Sequence, residues 1–176
     1  MNLPRGSLLR RRVIEDPATP LTDALEADLT GYARLESQDA LLLDAEGTGL
    51  LTFEAGVPVA AYHTGTDAGG PAALADIAVP GPKRLELYEL DGSVLASVHD
   101  ARDLRVPPGA PAERLAGDPA LAERTRSRAP DTRLDEDDDG PGAVEAFLED
   151  EAKIAAIRER AREEARARAE EWDLQP

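Results

Sequence analysis

Cysteine is absent from the chain, so no disulfide framework, thiolate metal site or thiol nucleophile can operate. Aromatic residues make up only 3%: Phe53, Phe147, Trp172, Tyr32, Tyr62 and Tyr88. A core must therefore be built from Leu, Val, Ile and Ala. Lysine occurs only as Lys83 and Lys153, and arginine supplies the rest of the basic charge. No apolar run nears the ~20 residues that span a bilayer. The opening MNLPRGSLLRRR has no apolar signal core, so the expected location is cytoplasmic.

What the chain has in excess is carboxylate. Thirty-six acidic residues stand against 20 basic ones, a net charge of −16 over 176 residues. At ordinary ionic strength such a surface repels itself and disfavours compaction. In molar salt the Debye length falls to about 3 Å and the repulsion is largely screened. Because the acid is spread along the chain, the expected setting is a high-salt interior. Residues 1–12 are the exception, with four Arg and no acid.

The turn and helix signals divide the chain. Thr19-Pro20 reads as an N-cap followed by proline at the first helical position. Leu21, Ala24, Leu25 and Leu29 then follow at helical spacing, and Gly31 ends the run. Short apolar runs come next: Tyr32–Glu36, Ala40–Asp44, Leu50–Glu54 and Val57–His63. Gly47-Thr48-Gly49 and Ala55-Gly56 are read as tight connections between them. Pro58 places its strand at an edge, or marks where that strand starts. Pro71 opens a short helix over Ala72–Ala78. Lys83–Leu90 alternates as a strand with Leu85 and Leu87 inward. Ser93–His99 reads as a helical turn or two, and Val106-Pro107-Pro108-Gly109 as the close of the domain.

These signals predict an α+β fold: a small, mostly antiparallel sheet with two or three packed helices over residues 13–109. Residues 1–12 are then a basic N-terminal arm and 110–131 short helices. An acidic disordered linker follows over 132–142, and a long amphipathic helix over 143–174. That last segment is rich in Ala, Glu and Arg.

Two regions are candidate sites. The loop after the Val57–His63 strand offers His63, Thr64, Thr66, Asp67, Gly69 and Gly70 just before a helix start, a place where backbone N–H groups can hold an anion. It lacks the Gly-Lys-Ser/Thr of a phosphate loop and the GxGxxG of a dinucleotide site. Asp67 would repel phosphate, so a glycine-dependent turn is the preferred reading. The other candidate is the apolar stripe Val144, Phe147, Leu148, Ile154, Ile157 and Trp172, which suits helix-in-groove docking or self-association.

Other features carry no expectation of chemistry. His63 and His99 lie in no metal-binding spacing. No serine sits in GxSxG. Asp135-Glu136-Asp137-Asp138-Asp139-Gly140 begins like a calcium loop, but position twelve is Ala146, not Glu. No cofactor and no metal are expected. Nucleic acid is not expected either, because the net charge opposes a polyanion and high salt weakens such contacts.

From Gly49 to Leu90 the chain resembles the core of the PATAN domain. The resemblance rests on Phe53, Gly56, Ala60-Ala61, Gly70, Ala73-Leu74 and Leu85–Tyr88, with a counterpart of the preceding helix Leu21–Leu29. It implies a non-catalytic interaction module of prokaryotic signalling proteins and carries over no catalytic residue. The extra strand near Ala40–Asp44 departs from that pattern. The whole chain also resembles small acidic haloarchaeal proteins with an Arg-bearing N-terminus and an acidic linker before a terminal helix.

The expected function is therefore a non-enzymatic interaction or regulatory module, contacting an unknown protein partner or a second copy through a domain face and the terminal helix. The alternative is a small-ligand or nucleotide-binding protein, including an enzyme, that uses the loop at 64–70.

Overall fold

The computed structural model describes residues 3–37 and 47–134. The expected strand Ala40–Asp44, the linker beyond Leu134 and the C-terminal stripe Val144, Phe147, Leu148, Ile154, Ile157 and Trp172 lie outside the described residues. Those described belong to one compact unit, Met1–Asp137.

Six strands and six helices make up this part of the chain. The first half runs β1 (Ser7–Ile14), α1 (Ala18–Glu26), β2 (Gly31–Ser37), β3 (Thr48–Glu54), β4 (Val57–His63) and β5 (Ala68–Gly69). The second half runs α2 (Gly70–Ile77), β6 (Lys83–Glu89), α3 (Gly92–His99), α4 (Ala110–Ala116), α5 (Pro119–Arg128) and α6 (Asp131–Leu134). The strands form one sheet in the order β1-β6-β2-β3-β4-β5, and every pairing is antiparallel. The fold is α+β.

Strand alternation sorts side chains to the two faces. On one face Leu85, Leu87, Ala33, Leu35, Leu51 and Phe53 meet Leu21, Leu25, Leu74, Ile77, Leu115 and Leu121 from the helices in a single apolar cluster. The other face carries a smaller cluster of Tyr32, Leu50 and Tyr88, with Leu3, Tyr62 and Leu90 against it. β6 is buried on both faces: Leu85 and Leu87 belong to the main cluster, and on the other side Arg11 and Arg34 reach Glu86 and Tyr32 stacks on Tyr88. The core also runs past Gly109: Leu115, Leu121 and Ala122 belong to the main cluster, and Val106 donates its N–H to Val59 O at 3.0 Å.

Several local expectations shift. Helix α1 begins at Ala18, ahead of the Thr19-Pro20 signal. Asp16-Pro17 supplies the same chemistry earlier: the Asp16 carboxylate accepts the Ala18 N–H at 2.8 Å and its carbonyl accepts that of Thr19 at 3.2 Å. Thr48 and Gly49 lie inside β3, not in a connection. A Cβ at Gly49 would stand 2.5 Å from Ile77 Cγ1, so glycine serves there to let α2 close on the sheet. Residues 7–12, read as a basic arm, form most of β1. The first residues of the stretch read as linker, 132–134, are instead helical, completing α6 (Asp131–Leu134), anchored where Arg133 donates to Pro58 O at 2.9 Å and to Val106 O at 2.8 Å.

The hairpin between β3 and β4 follows its sequence signal. Ala55 and Gly56 both take positive φ, 47° and 82°, as a two-residue turn matching strand twist demands. The turn sits against the end of α1: Gly56 N–H donates to Leu29 O at 2.8 Å, and Ala55 N–H to Thr30 Oγ1 at 3.1 Å.

Candidate interaction surface

The glycine-rich loop spends its polar groups within itself and on its neighbours. The two-residue strand β5 folds back on the end of β4, with Tyr62 opposite Gly69 and His63 opposite Ala68. His63 Nδ1 lies 3.1 Å from Thr66 Oγ1, and that hydroxyl donates to Asp76 at 2.6 Å. Thr64 turns to β3, where its hydroxyl accepts the Thr48 N–H at 2.8 Å. The Tyr62 hydroxyl donates to Asp67, and that carboxylate raises the phenol's pKa. The loop thus brings His63, Thr66 and Asp76 together, pairs Asp67 with Tyr62, and leaves Thr64 in a separate contact.

Gly69 and Gly70 pack under the segment after α3. A Cβ on Gly69 would stand 2.6 Å from Asp103 O. One on Gly70 would stand 3.0 Å from both Asp103 O and Arg105 O. An anion at the start of α2 would meet those carbonyl oxygens, which are acceptors like itself.

The histidines serve different faces. His63 is opposite Gly49, on the side where Gly49 meets Ile77. His99, at the end of α3, places Nε2 3.1 Å from Thr52 Oγ1, three residues further along β3 and so on the opposite face. Burial is the largest influence on His99 and lowers its pKa, against an upward pull from Glu54. Among the described residues no group of His, Asp and Glu is placed to hold a metal.

What stands open is β1. It ends the sheet, and among the described residues no strand pairs with its outer side. The three most exposed large apolar side chains of the described region all lie on it: Val13 at 58%, Leu9 at 53% and Leu8 at 48%. The strand's register shifts between Leu8 and Arg10, and the regular stretch beyond, Arg10–Ile14, has an outer row of unpaired backbone donors and acceptors that is a template for another strand.

Arginines occupy the middle of that edge. Arg10 and Arg12 lie opposite Leu87 and Leu85, so they point to the helix side, and both reach the same Asp23 Oδ2 at 2.7 Å. Arg11 lies opposite Glu86 and meets its Oε1 at 2.6 Å. Arg34 on β2 approaches Oε2 at 3.6 Å, and the Tyr88 hydroxyl donates to that oxygen at 2.9 Å. Burial pushes the Glu86 pKa up, but Tyr88, Arg11 and Arg34 outweigh it and hold the carboxyl below its usual range. Beside this cluster Tyr32 and Tyr88 stack with ring centres 4.9 Å apart.

The sequence reading missed this strand because three consecutive arginines erase the apolar alternation that marks one. The usable signal was the pair of apolar ends, Leu8-Leu9 and Val13-Ile14, around them.

The family model described as a domain of unknown function, DUF8572, matches residues 2–174. No curated protein and no solved structure matches the chain. No helix among the described residues is long and apolar enough to cross a membrane.

Proposed function

The chain belongs to the DUF8572 family, and we propose that it is a non-enzymatic interaction module of a salt-rich cytoplasm. Its contact surfaces are the open edge of β1 and the apolar stripe carried by Val144, Phe147, Leu148, Ile154, Ile157 and Trp172. One observation carries the reading: the three most exposed large apolar side chains of the described region lie on a strand whose outer side no described strand pairs. Proteins that remain single ordinarily keep such an edge short, charged or covered. Here the charge is present but flanked by apolar ends. The acidic balance of the rest of the chain supports the salt-rich setting through screening.

The small-ligand reading draws no comparable support. The hydroxyls and the carboxylate of the loop at 64–70 already have partners in Thr48, Tyr62, His63 and Asp76, and carbonyls crowd the start of α2.

The test compares the full chain with a variant carrying Leu8→Lys, Leu9→Lys and Val13→Lys, and with one ending at residue 142. Solution mass and chemically cross-linked partners are measured in molar salt. The unmodified chain is expected to form complexes, and each change to reduce them. Unchanged complexes in both variants, or none in any protein, would overturn the proposal.

A further inference from the structure

Resting on that reading of β1, we infer that the strand it accepts is an extended acidic segment of a partner protein. The local charge count points there. Among the described residues two carboxylates, Asp23 and Glu86, serve four guanidinium groups, those of Arg10, Arg11, Arg12 and Arg34. Arg10 and Arg12 crowd a single oxygen of Asp23. The β1 arginine side chains remain 40–62% exposed, and each guanidinium presents five donors. The edge therefore carries unspent positive charge on a protein whose total is −16.

Strand geometry defines what would fit. Arg10 and Arg12 share one face, so a paired strand answers them with carboxylates two residues apart. Arg11 and Val13 share the other face, across from Glu86 and Arg84. A carboxylate there meets Arg11, and an apolar residue meets Val13. Backbone pairing supplies affinity, and alternating side chains supply selectivity.

A second copy of the chain fits poorly. The antiparallel register that sets Leu9 against Val13 of the second copy also sets Arg11 against Arg11, with Arg10 against Arg12 on either side. Like charges directly opposite destabilise a strand pair. Registers that relieve the arginines, such as Leu9 against Leu9 or Val13 against Val13, match only one apolar position, where the first register matches Leu9 with Val13 and Leu8 with Ile14.

The experiment titrates the full chain with a decapeptide of alternating valine and glutamate, read by fluorescence anisotropy and by hydrogen exchange at the β1 amides. Controls are the valine–lysine peptide and a fully N-methylated valine–glutamate peptide, which keeps its charge but cannot donate. Saturable binding is expected, with β1 amides newly protected and both controls at least tenfold weaker. R10Q/R12Q is expected to weaken the glutamate peptide about tenfold while leaving the fold intact. Equal binding of the lysine peptide, or protection away from β1, would overturn the inference. So would self-association through β1 by light scattering. If the lysine-edge variant of the preceding section loses its complexes while both peptides bind alike, the interaction reading stands and the acidic strand does not. If no complexes form at all, the interaction reading itself falls.

Discussion

At the residue scale, buried polar groups decide more than their number suggests. Arg133 is 6% exposed and serves the carbonyls of Pro58 and Val106. Replacing it by Met leaves two buried acceptors without those donors, and hydrogen bonds to charged groups contribute roughly 1.5–3 kcal/mol each. Arg133→Met is expected to cost about 3 kcal/mol in urea unfolding, and Arg133→Lys less.

His99 sets a pH dependence. Its imidazole is held below the ordinary value of 6.5, chiefly by burial. The unfolded chain then binds a proton that the native state resists. The contribution is fully present above pH 6.5 and is lost as pH falls from there through the lowered native value. Glu86, also lowered, loses its contribution only below its ordinary 4.5. Stability measured from pH 7.5 down to about 2.5 should therefore fall in two stages. His99→Gln should remove the upper stage alone, and persistence of that stage in the variant would rule His99 out.

At the element scale, the β3–β4 turn gives a sharp contrast between neighbours. Ala55 sits at positive φ, where an L side chain costs roughly 1–2 kcal/mol. Gly56 sits at positive φ too, and a Cβ there would also stand 2.8 Å from Ala24 O and from Leu25 Cα. Ala55→Gly is expected to raise stability by about 1 kcal/mol, and Gly56→Ala to lower it by more than that. Thermal unfolding of the two variants checks both signs. This hairpin was legible because a two-residue turn and two alternating strands are local features. The β6 alternation was legible for the same reason. β1 was not: its strand identity comes from pairing with β6, far along the chain (Ser7 with Glu89, Ile14 with Lys83), and its arginines are held by Asp23 on α1 and by Glu86 on β6. The glycine-rich loop shows the converse. Its residues were identified and its short strand and helix start are present, but the carbonyls of Asp103 and Arg105 that cover it arrive from beyond α3.

At the scale of the whole molecule, the net charge of −16 makes salt a determinant of stability. Repulsion among exposed carboxylates is long-ranged, and it weakens steeply as the Debye length drops from about 10 Å at 0.1 M to about 3 Å at 1 M. Strengthened apolar burial by excluded salts is a separate effect that keeps growing with concentration. The two differ in the shape of the curve. Screening should raise the unfolding temperature steeply up to about 0.5 M potassium chloride and then flatten, whereas salting-out contributes a steady slope. The ion pairs of the β1 edge oppose this trend only weakly, because contacts near 2.7 Å are shorter than the Debye length even at 1 M. A steep early rise is thus expected in the full chain. It should be smaller in a variant with several exposed acids, such as Glu15, Glu26 and Glu89, changed to Gln. A curve without the early rise, or one unchanged by those substitutions, would show that the acidic surface does not govern stability.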